Sequence, residues 1–326
     1  MEPLRIVAIG GGTGLSTLLH GLKPFAPHDV EITAVVTVTD DGGSSGRLRR
    51  EFDVLPPGDI RNCMVALCED EALLSKLFQY RFAEGRGLKG HSFGNLFLTA
   101  LTNLTGDFAK AVRVSSEVLA SRGRIFPSTA ENVVLEAELE NGTMVSGETR
   151  ISKSRRRIRR LHLVPSTCKP LADTLRAIKE ADLITFGPGS LFTSVVPNVL
   201  VHGIPRAIER SPALKAYFVN LMWQPGETIG FTASDHVATI HEHAGVDLLD
   251  VVVVNRTPVR PAQLRKYAAE EAQPVSNDLR RLEAMGVEVV EADLLADGPI
   301  VRHDSETAGA IAMDLARRGR ARRLAA

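Results

Sequence analysis

Glycines and a hydroxyl residue cluster in a short loop near the start of the sequence, where they could bind a phosphate. Residues 10–14 read GGGTG; they follow an apolar run over residues 4–9 and precede an apolar-periodic stretch over 15–22. A strand, a glycine loop and a helix N-terminus in this order can form an anion site, because glycines allow backbone N–H groups to approach a phosphate and the helix dipole adds about half a positive charge. The pattern predicts a phosphate-binding loop.

Two adjacent carboxylates follow the next predicted strand. Residues 32–38 are mostly apolar and lead into residues 39–47, which read TDDGGSSGR. Asp40 and Asp41 could hold a ribose, as an acid does at this point of a dinucleotide fold, or Mg²⁺, and Arg47 offers a fork-shaped donor for a phosphate. Sequential strands separated by one helix usually lie side by side, so we expect both loops at one carboxyl edge of a parallel sheet.

A third acid has two interpretations. Asp59 follows a Pro-Pro-Gly turn and precedes a stretch over residues 60–67 that is predicted to be helical. It could cap that helix, or it could join Asp40 and Asp41 around a metal ion.

Two further segments carry polar residues suited to a ligand. His91 stands with Asn95 at a predicted helix start, and it is either a structural histidine or a ligand contact. Residues 187–190, GPGS, end a predicted strand over 183–186 and form another loop of small residues. Polar loops that repeatedly follow strands are typical of an open sheet with a ligand at its carboxyl edge.

The composition limits the classes of protein to consider. The chain has 326 residues, with 39 Lys plus Arg and 39 Asp plus Glu, so its formal net charge is zero. That balance argues against a broad nucleic-acid surface. Three cysteines cannot all pair with one another and no CxxC pair is present, which favours a reducing compartment. No signal peptide and no apolar run of about 18 residues is seen, so we expect a soluble cytoplasmic protein without a membrane partner.

Strands and helices alternate through most of the chain. This alternation predicts a Rossmann-like, doubly wound α/β fold with a mainly parallel sheet, in one domain over residues 1–326. Helices are predicted over residues 71–83, where leucines and a phenylalanine share one face, and over 305–318 at the end of the chain.

A β excursion interrupts this alternation. Residues 133–139 alternate loosely, Asn-Gly at 141–142 is a strong hairpin signal, and residues 143–151 are predicted to be the return strand. We interpret about 131–162 as a small inserted β-hairpin subdomain. Its arginine-rich end, residues 155–160, is either a solvated face or a contact for an anionic partner.

Several well-known sites are not present in the sequence. The first glycine loop is not the GxGxxG dinucleotide fingerprint, because Leu15 stands where the third glycine belongs, and the lysine of a P-loop is also missing. No GxSxG, HExxH or zinc-type spacing occurs. These absences disfavour a nicotinamide enzyme, a serine hydrolase and a zinc enzyme.

Six stretches of the sequence are together highly specific. They read GGGTGLS at 10–16, TVTDDGGSSG at 37–46, PPGDIR at 56–61, HSFGN at 91–95, GPGS at 187–190 and QPGET at 224–228. Through them the chain, from residue 5 to about 305, resembles the bacterial YvcK-like gluconeogenesis factors, which belong with the CofD-type 2-phospho-L-lactate transferases. The resemblance implies a Rossmann-like core, a nucleotide-type ligand such as UDP-N-acetylglucosamine, and a role in cell shape and cell-wall precursor supply during gluconeogenic growth.

The predicted site residues lie on the loops described above. The predicted ligand-binding residues are Gly11, Gly12, Thr13, Gly14, Thr39, Asp40, Asp41, Gly43, Ser44, Arg47, His91, Asn95, Gly187, Gly189 and Ser190. The transferase relatives are thought to hold metal and substrates through acids that match Asp40, Asp41 and Asp59. Mg²⁺ is therefore the cofactor that these residues suggest.

Two functions are consistent with these features. The first is a regulator that binds a nucleotide sugar and reports cell-wall precursor supply to protein partners of that pathway. The second is a Mg²⁺-dependent transferase of the 2-phospho-L-lactate transferase type, acting on a nucleotide-activated substrate. The resemblance establishes no reaction for the gluconeogenesis factors, so the sequence leaves open whether the chain is an enzyme. A dinucleotide remains an alternative ligand, and a homo-oligomer remains an alternative to a monomer.

Overall fold

The computed structural model describes residues 2–69, 73–267 and 271–325. Its strands are β1 (Leu4–Gly10), β2 (Val30–Val36), β3 (Arg124–Pro127), β4 (Val134–Leu139), β5 (Met144–Ser146), β6 (Ile158–Val164), β7 (Leu183–Phe186), β8 (Leu214–Phe218), β9 (Val251–Asn255) and β10 (Glu288–Ala292).

Helices follow most strands. They are α1 (Gly12–Leu22), α2 (Gly43–Phe52), α3 (Gly58–Leu67), α4 (Leu74–Gln79), α5 (Phe93–Thr105), α6 (Phe108–Val118), α7 (Glu148–Lys153), α8 (Ala172–Glu180), α9 (Val196–Val199), α10 (Ile204–Arg210), α11 (Ala233–Ala244), α12 (Pro261–Tyr267), α13 (Leu279–Ala284) and α14 (Ser305–Ala325).

The main sheet has a doubly wound order. Within the described residues, seven parallel strands lie in the order β10-β9-β8-β7-β1-β2-β3. From β1 the chain first builds outward through β2 to β3 and later builds in the opposite direction from β7 to β10. The strand order therefore reverses between β1 and β7, and the crevice outside their carboxyl ends is where such sheets bind ligands. The predicted Rossmann-like α/β class is confirmed.

The central strands are buried because helices cover both faces of the sheet. Ile6 and Ile9 of β1, and Ile184 and Phe186 of β7, are almost fully buried. Strands buried on both faces need apolar side chains at successive positions rather than at alternate ones. This explains why β1, β7 and β9 are short apolar runs in the sequence.

One buried carboxylate fastens the last helix to the middle of the sheet. Asp182, which precedes β7, is fully buried and accepts hydrogen bonds from Arg320 Nη2 at 2.6 Å and from the backbone N–H of Arg5 at 2.8 Å. Arg323 forms a second ion pair with it at 2.9 Å. Both arginines lie on α14, so this cluster fixes α14 against β1 and β7.

The β excursion forms its own small sheet. Within the described stretch 73–267, β5, β4 and β6 make a three-stranded antiparallel sheet in the order β5-β4-β6. The predicted return strand over 143–151 is wrong beyond Ser146, because Gly147 turns the chain at φ 94° and α7 follows. The subdomain boundary of about 131–162 stays a prediction, while β6 itself continues to Val164.

The helix predicted over 71–83 is shorter than expected. The helix α4 covers Leu74–Gln79, residues 70–72 lie outside the described residues, and an extended loop follows from Tyr80. The backbone leaves the helical conformation at Tyr80, with ψ 131°, and Arg81 pairs with Ser92 in an antiparallel bridge, so the helix ends before residue 83.

No single helix in residues 2–69, 73–267 and 271–325 is long and apolar enough to cross a membrane. Two consecutive helical segments, Leu191–Val199 and Ile204–Arg210, are together long and apolar enough, but the chain bends by 75° between them.

Candidate functional site

The two glycine loops meet where the strand order reverses. Residues 11–14 are the N-cap and first turn of α1, directly after β1, and Gly189 and Ser190 follow β7. Both segments line a cleft of about 510 Å³. This volume lies in the range of small-molecule sites. The structure therefore brings together six predicted site residues, namely Gly11, Gly12, Thr13, Gly14, Gly189 and Ser190.

Close approach between the two loops explains why glycines are required. A Cβ on Gly14 would lie 2.4 Å from the carbonyl oxygen of Pro188, and one on Gly11 would lie 2.5 Å from Thr37 Cγ2. Gly12 has φ +61°, a conformation that side chains other than glycine rarely adopt. The first-turn N–H groups of α1 have no partner within the helix; Asp59 accepts from that of Gly12, and those of Thr13 and Gly14 are candidates for a phosphate.

Carboxyl groups converge beside the first glycine loop. Asp59 accepts a hydrogen bond from the backbone N–H of Gly12, while burial and the nearby Asp40 raise the pKa of Asp59 to about 7. Burial, together with Asp40 and Asp59, raises the pKa of Glu148 to about 9. Glu148 therefore holds a proton at neutral pH, and Asp59 titrates near neutral pH, whereas ordinary carboxyl groups are ionised there. Glu148, which lines the cleft, can donate a hydrogen bond to a ligand.

Replacing Glu148 with glutamine is expected to stabilise the protein at high pH. The folded-state pKa of about 9 lies above the ordinary 4.5, so Glu148 costs stability progressively as pH rises through that window. Glutamine cannot ionise, and the free energy of unfolding at pH 9 should rise by more than about 1 kcal/mol, while at pH 5 it should change little. Urea denaturation at both pH values measures this difference.

Glu117 provides the control for this measurement, because it is exposed on α6. Glu117→Gln should show the same pH dependence as the unmodified protein. If Glu148→Gln followed that same curve, Glu148 would not be a buried acid of the site.

Asp41 attaches the inserted segment to the loop after β2, and its predicted ligand or metal role stays a prediction. Its Oδ1 accepts hydrogen bonds from the backbone N–H of Thr149 at 2.8 Å and from Thr149 Oγ1 at 2.6 Å. This contact fastens α7 to the loop after β2 and places Glu148 over the cleft. Arg49 adds a second attachment, since its Nη2 donates to the carbonyl oxygen of Val133 before β4. The inserted sheet is therefore held against the site.

The alternative role of Asp59 as a helix cap is wrong. The N-cap of α3 is Pro57, and Asp59 lies inside the first turn with its carboxylate directed to Gly12. With Pro57 as its cap, the helix begins at Gly58, two residues earlier than it would with Asp59 as its cap.

The three acids predicted to bind metal are not arranged as one ligand set. Asp40 and Asp59 lie near each other, but the Oδ1 of Asp41 is engaged by Thr149 and that of Asp40 by the backbone N–H of Gly42. Across the parts of the chain that the structure describes, no three His, Cys, Asp or Glu side chains are close enough to hold a metal ion. The side chains as they stand do not fit Mg²⁺, and the metal site stays a prediction.

Glu227 connects the inserted sheet to the second loop. It is 6% exposed and accepts hydrogen bonds from Ser190 Oγ and, at 3.2 Å, from Ser152 Oγ of α7. Burial raises the pKa of Glu227, although its hydrogen bonds oppose that rise. Ser190 in turn accepts from Thr193 Oγ1 at 2.6 Å. This network orients the hydroxyl groups at the rim of the cleft.

Ser44, His91 and Asn95 form a buried network behind the glycine loops rather than in the cleft wall. His91 is 4% exposed, and its Nδ1 lies 3.0 Å from Ser44 Oγ. Asn95 Nδ2 donates to Ser45 Oγ at 3.4 Å. Burial and the nearby Arg47 lower the pKa of His91, so its ring is neutral. The network holds the start of α2, and with it the loop that carries Asp40.

The remaining predicted site residues lie around this loop. Arg47 Nη2 donates to the carbonyl oxygen of Lys89 at 3.0 Å, and Thr39 Oγ1 lies 3.1 Å from Thr37 Oγ1 in the interior. Gly43 is exposed at the start of α2, while Gly187 is buried beneath the second loop. None of these four lines the main cleft as the structure describes it.

Sequence reasoning missed much of the opposite wall. Further residues that line the cleft are Thr17, Glu148, Thr193, Ser194, Asn220, Met222, Trp223, Gln224, Glu227, Tyr267, Arg302 and His303. His303 Nε2 lies 3.0 Å from the carbonyl oxygen of Val219, so this nitrogen carries the proton, and burial lowers its pKa to about 4. The QPGET stretch was the one signal that pointed to this wall.

Comparison with known proteins identifies the family. The model of the 2-phospho-L-lactate transferase CofD family matches residues 6–295. The chain belongs to the CofD family. Within the CofD family it is 49% identical over 306 residues to the gluconeogenesis factor of Halalkalibacterium halodurans, covering 94% of each chain. It is 48% identical to the gluconeogenesis factor of Bacillus subtilis, covering 95% of this chain and 98% of that one.

A solved structure of a CofD-family relative has the same fold. The crystal structure of a UPF0052-family protein from Bacillus halodurans matches with a TM-score of 0.92 at 47% identity, covering 96% of this chain and 100% of that one. The predicted membership in the gluconeogenesis-factor branch of the CofD family is thus confirmed.

Proposed function

We propose that this CofD-family chain binds a nucleotide sugar, UDP-N-acetylglucosamine, and supports cell shape and cell-wall precursor supply during gluconeogenic growth. The observation that carries the proposal is the meeting of two glycine loops at the switch point between β1 and β7. The start of α1 offers backbone N–H groups for a diphosphate.

The rest of the cleft suits the sugar and nucleoside parts of such a ligand. Its far wall carries Asn220, Gln224 and Trp223, which supply amide groups and an aromatic surface. A second cavity of about 360 Å³ shares Asn220 and Leu221 with the main cleft. It extends along residues 255–259, at the carboxyl end of β9. The two together can accommodate an elongated ligand with a planar base at one end.

Calorimetric titration tests the proposal directly. UDP-N-acetylglucosamine should bind saturably to the unmodified protein, whereas N-acetylglucosamine, which lacks the diphosphate, should bind at least tenfold more weakly. Failure of UDP-N-acetylglucosamine to bind or to raise the melting temperature at millimolar concentration would reject the nucleotide sugar as the ligand.

A phosphoryl-type transferase is the second candidate function. The raised pKa values of Asp59 and Glu148 beside the glycine loop favour it, because groups with raised pKa values recur in sites that move protons. If this candidate is right and a metal joins the site, Mg²⁺ should tighten nucleotide-sugar binding, and Asp59→Asn should remove that gain. Mg²⁺-independent binding without turnover of the ligand would leave the regulator as the function.

A further inference from the structure

A third cavity, distinct from the two described above, lies on the other side of α1 from the glycine-loop cleft. It has a volume of about 420 Å³ and lies between α1, α3, the end of α4 and the residues before α14. Its charged lining consists of Arg61, Arg81, Arg302 and His20, and hydroxyl and amide groups such as Ser16 and Asn62 complete the polar wall. No carboxylate lines this cavity in the part of the chain that the structure describes.

The arginines of this cavity lack a compensating charge. None of Arg61, Arg81 and Arg302 makes an ion pair with any described residue, whereas Arg320 and Arg323 of α14 share the carboxylate of Asp182. The Nε of Arg61 is buried and has no hydrogen-bond partner. An unpaired buried donor costs free energy, and a ligand that accepts from it recovers that cost.

The two closest arginines also repel each other. Burial and the charge of Arg81 lower the pKa of Arg61, and the carboxylates of Asp59 and Asp40 oppose this effect without reaching ion-pair distance. Arg81 is held in place by a hydrogen bond from its Nη1 to the carbonyl oxygen of Gly90 at 2.6 Å. A doubly charged anion between the two guanidinium groups, which line the same cavity, would relieve this repulsion.

We infer that this cavity binds the phosphoryl dianion of a small molecule, at a site separate from the glycine-loop cleft. Guanidinium groups match phosphate oxygens through paired N–H donors, and three of them surround this cavity. The volume exceeds that of a single phosphate, so the cavity also has room for the organic part of a phosphate monoester. Thr13 and Arg302 line both cavities, which places the two sites next to each other.

Inorganic phosphate and a sugar monophosphate are the two probes for this site. Each is titrated at constant ionic strength, with chloride as the reference anion and the melting temperature as the first readout. Arg81→Gln should weaken phosphate binding at least fivefold. Arg86→Gln, which removes an exposed arginine from the same loop without touching the cavity, should leave it unchanged.

Arginine modification locates the bound anion. Phenylglyoxal should label Arg81, because its side chain is exposed, and phosphate should protect the peptide that contains it, as read by mass spectrometry. If the sugar monophosphate bound more tightly than inorganic phosphate, the ligand of this cavity would be a phosphorylated metabolite. If both bound equally, the ligand would be phosphate itself. If phosphate did not protect Arg81 from labelling, the inference would be wrong. It would also be wrong if Arg81→Gln and Arg86→Gln bound phosphate equally well.

No nucleotide sugar is used in these measurements, so their outcome is independent of the proposed function. Loss of UDP-N-acetylglucosamine binding with intact phosphate binding at Arg81 would reject the proposed function alone. Intact UDP-N-acetylglucosamine binding without phosphate binding at Arg81 would reject the phosphate site alone.

Discussion

Replacing Gly14 with alanine is expected to weaken UDP-N-acetylglucosamine binding at least tenfold, or about 1.4 kcal/mol. The new Cβ would lie 2.4 Å from the carbonyl oxygen of Pro188, so the loop after β7 must move away from the start of α1. That movement separates the backbone N–H groups of α1 from Gly189 and Ser190, which face them across the cleft. Calorimetric titration of the folded variant measures the loss.

Gly142→Ala is the matched control for this variant. Gly142 has φ +78° in the hairpin turn between β4 and β5, and no atom lies within 4 Å of its virtual Cβ. The substitution therefore introduces backbone strain without a collision near the cleft, and ligand affinity should stay unchanged. If the Gly14 variant and the unmodified protein bound the ligand with equal affinity, the glycine loops would not be part of the binding site.

Asp182→Asn is expected to reduce the free energy of unfolding by about 3–5 kcal/mol, because it leaves two buried or half-buried arginines without their carboxylate. Asp182 is fully buried and pairs with Arg320 and Arg323 at 2.6 and 2.9 Å. Asparagine has a similar shape but supplies no charge. Guanidinium denaturation at neutral pH, with a two-state fit, measures the difference.

An exposed carboxylate provides the comparison for Asp182. Asp293 accepts two hydrogen bonds from Arg256 at the surface, and Asp293→Asn should leave the unfolding curve nearly unchanged, since solvent screens that pair. A loss of similar size for both variants would show that burial does not decide the effect at Asp182.

The fold could be predicted from the sequence because its core strands are buried on both faces. Such strands are continuous apolar runs, as in β1, β7 and β9, and glycine loops mark the carboxyl ends of β1 and β7. The chain after Ser146 was harder to predict. Residues 147–151 read GETRI, and the β-branched Thr149 and Ile151 are common in strands, whereas in the fold the contact of Thr149 with Asp41 holds this segment as a helix.

The candidate site was predicted in part for the same physical reason. Loops that follow a strand have a local signature, so residues 11–14 and 187–190 were found. Glu148 was missed, because it comes from an inserted sheet whose position depends on the long-range Asp41 contact. Arg302 was missed as well, since it precedes the terminal helix, far in sequence from the glycine loops that it faces. Tertiary packing alone brings these residues to the cleft.

The position of β1 in the sheet also affects how a nascent chain can fold. Ile6 pairs with Ile32 on one side but with Leu183 on the other, so one edge of β1 has no partner until the ribosome has synthesised β7. Unpaired edges of apolar strands are prone to associate with other chains, and pairings so distant in sequence form slowly. During translation, the first half of this protein therefore exposes an unpaired edge of the strand that leads into its first glycine loop.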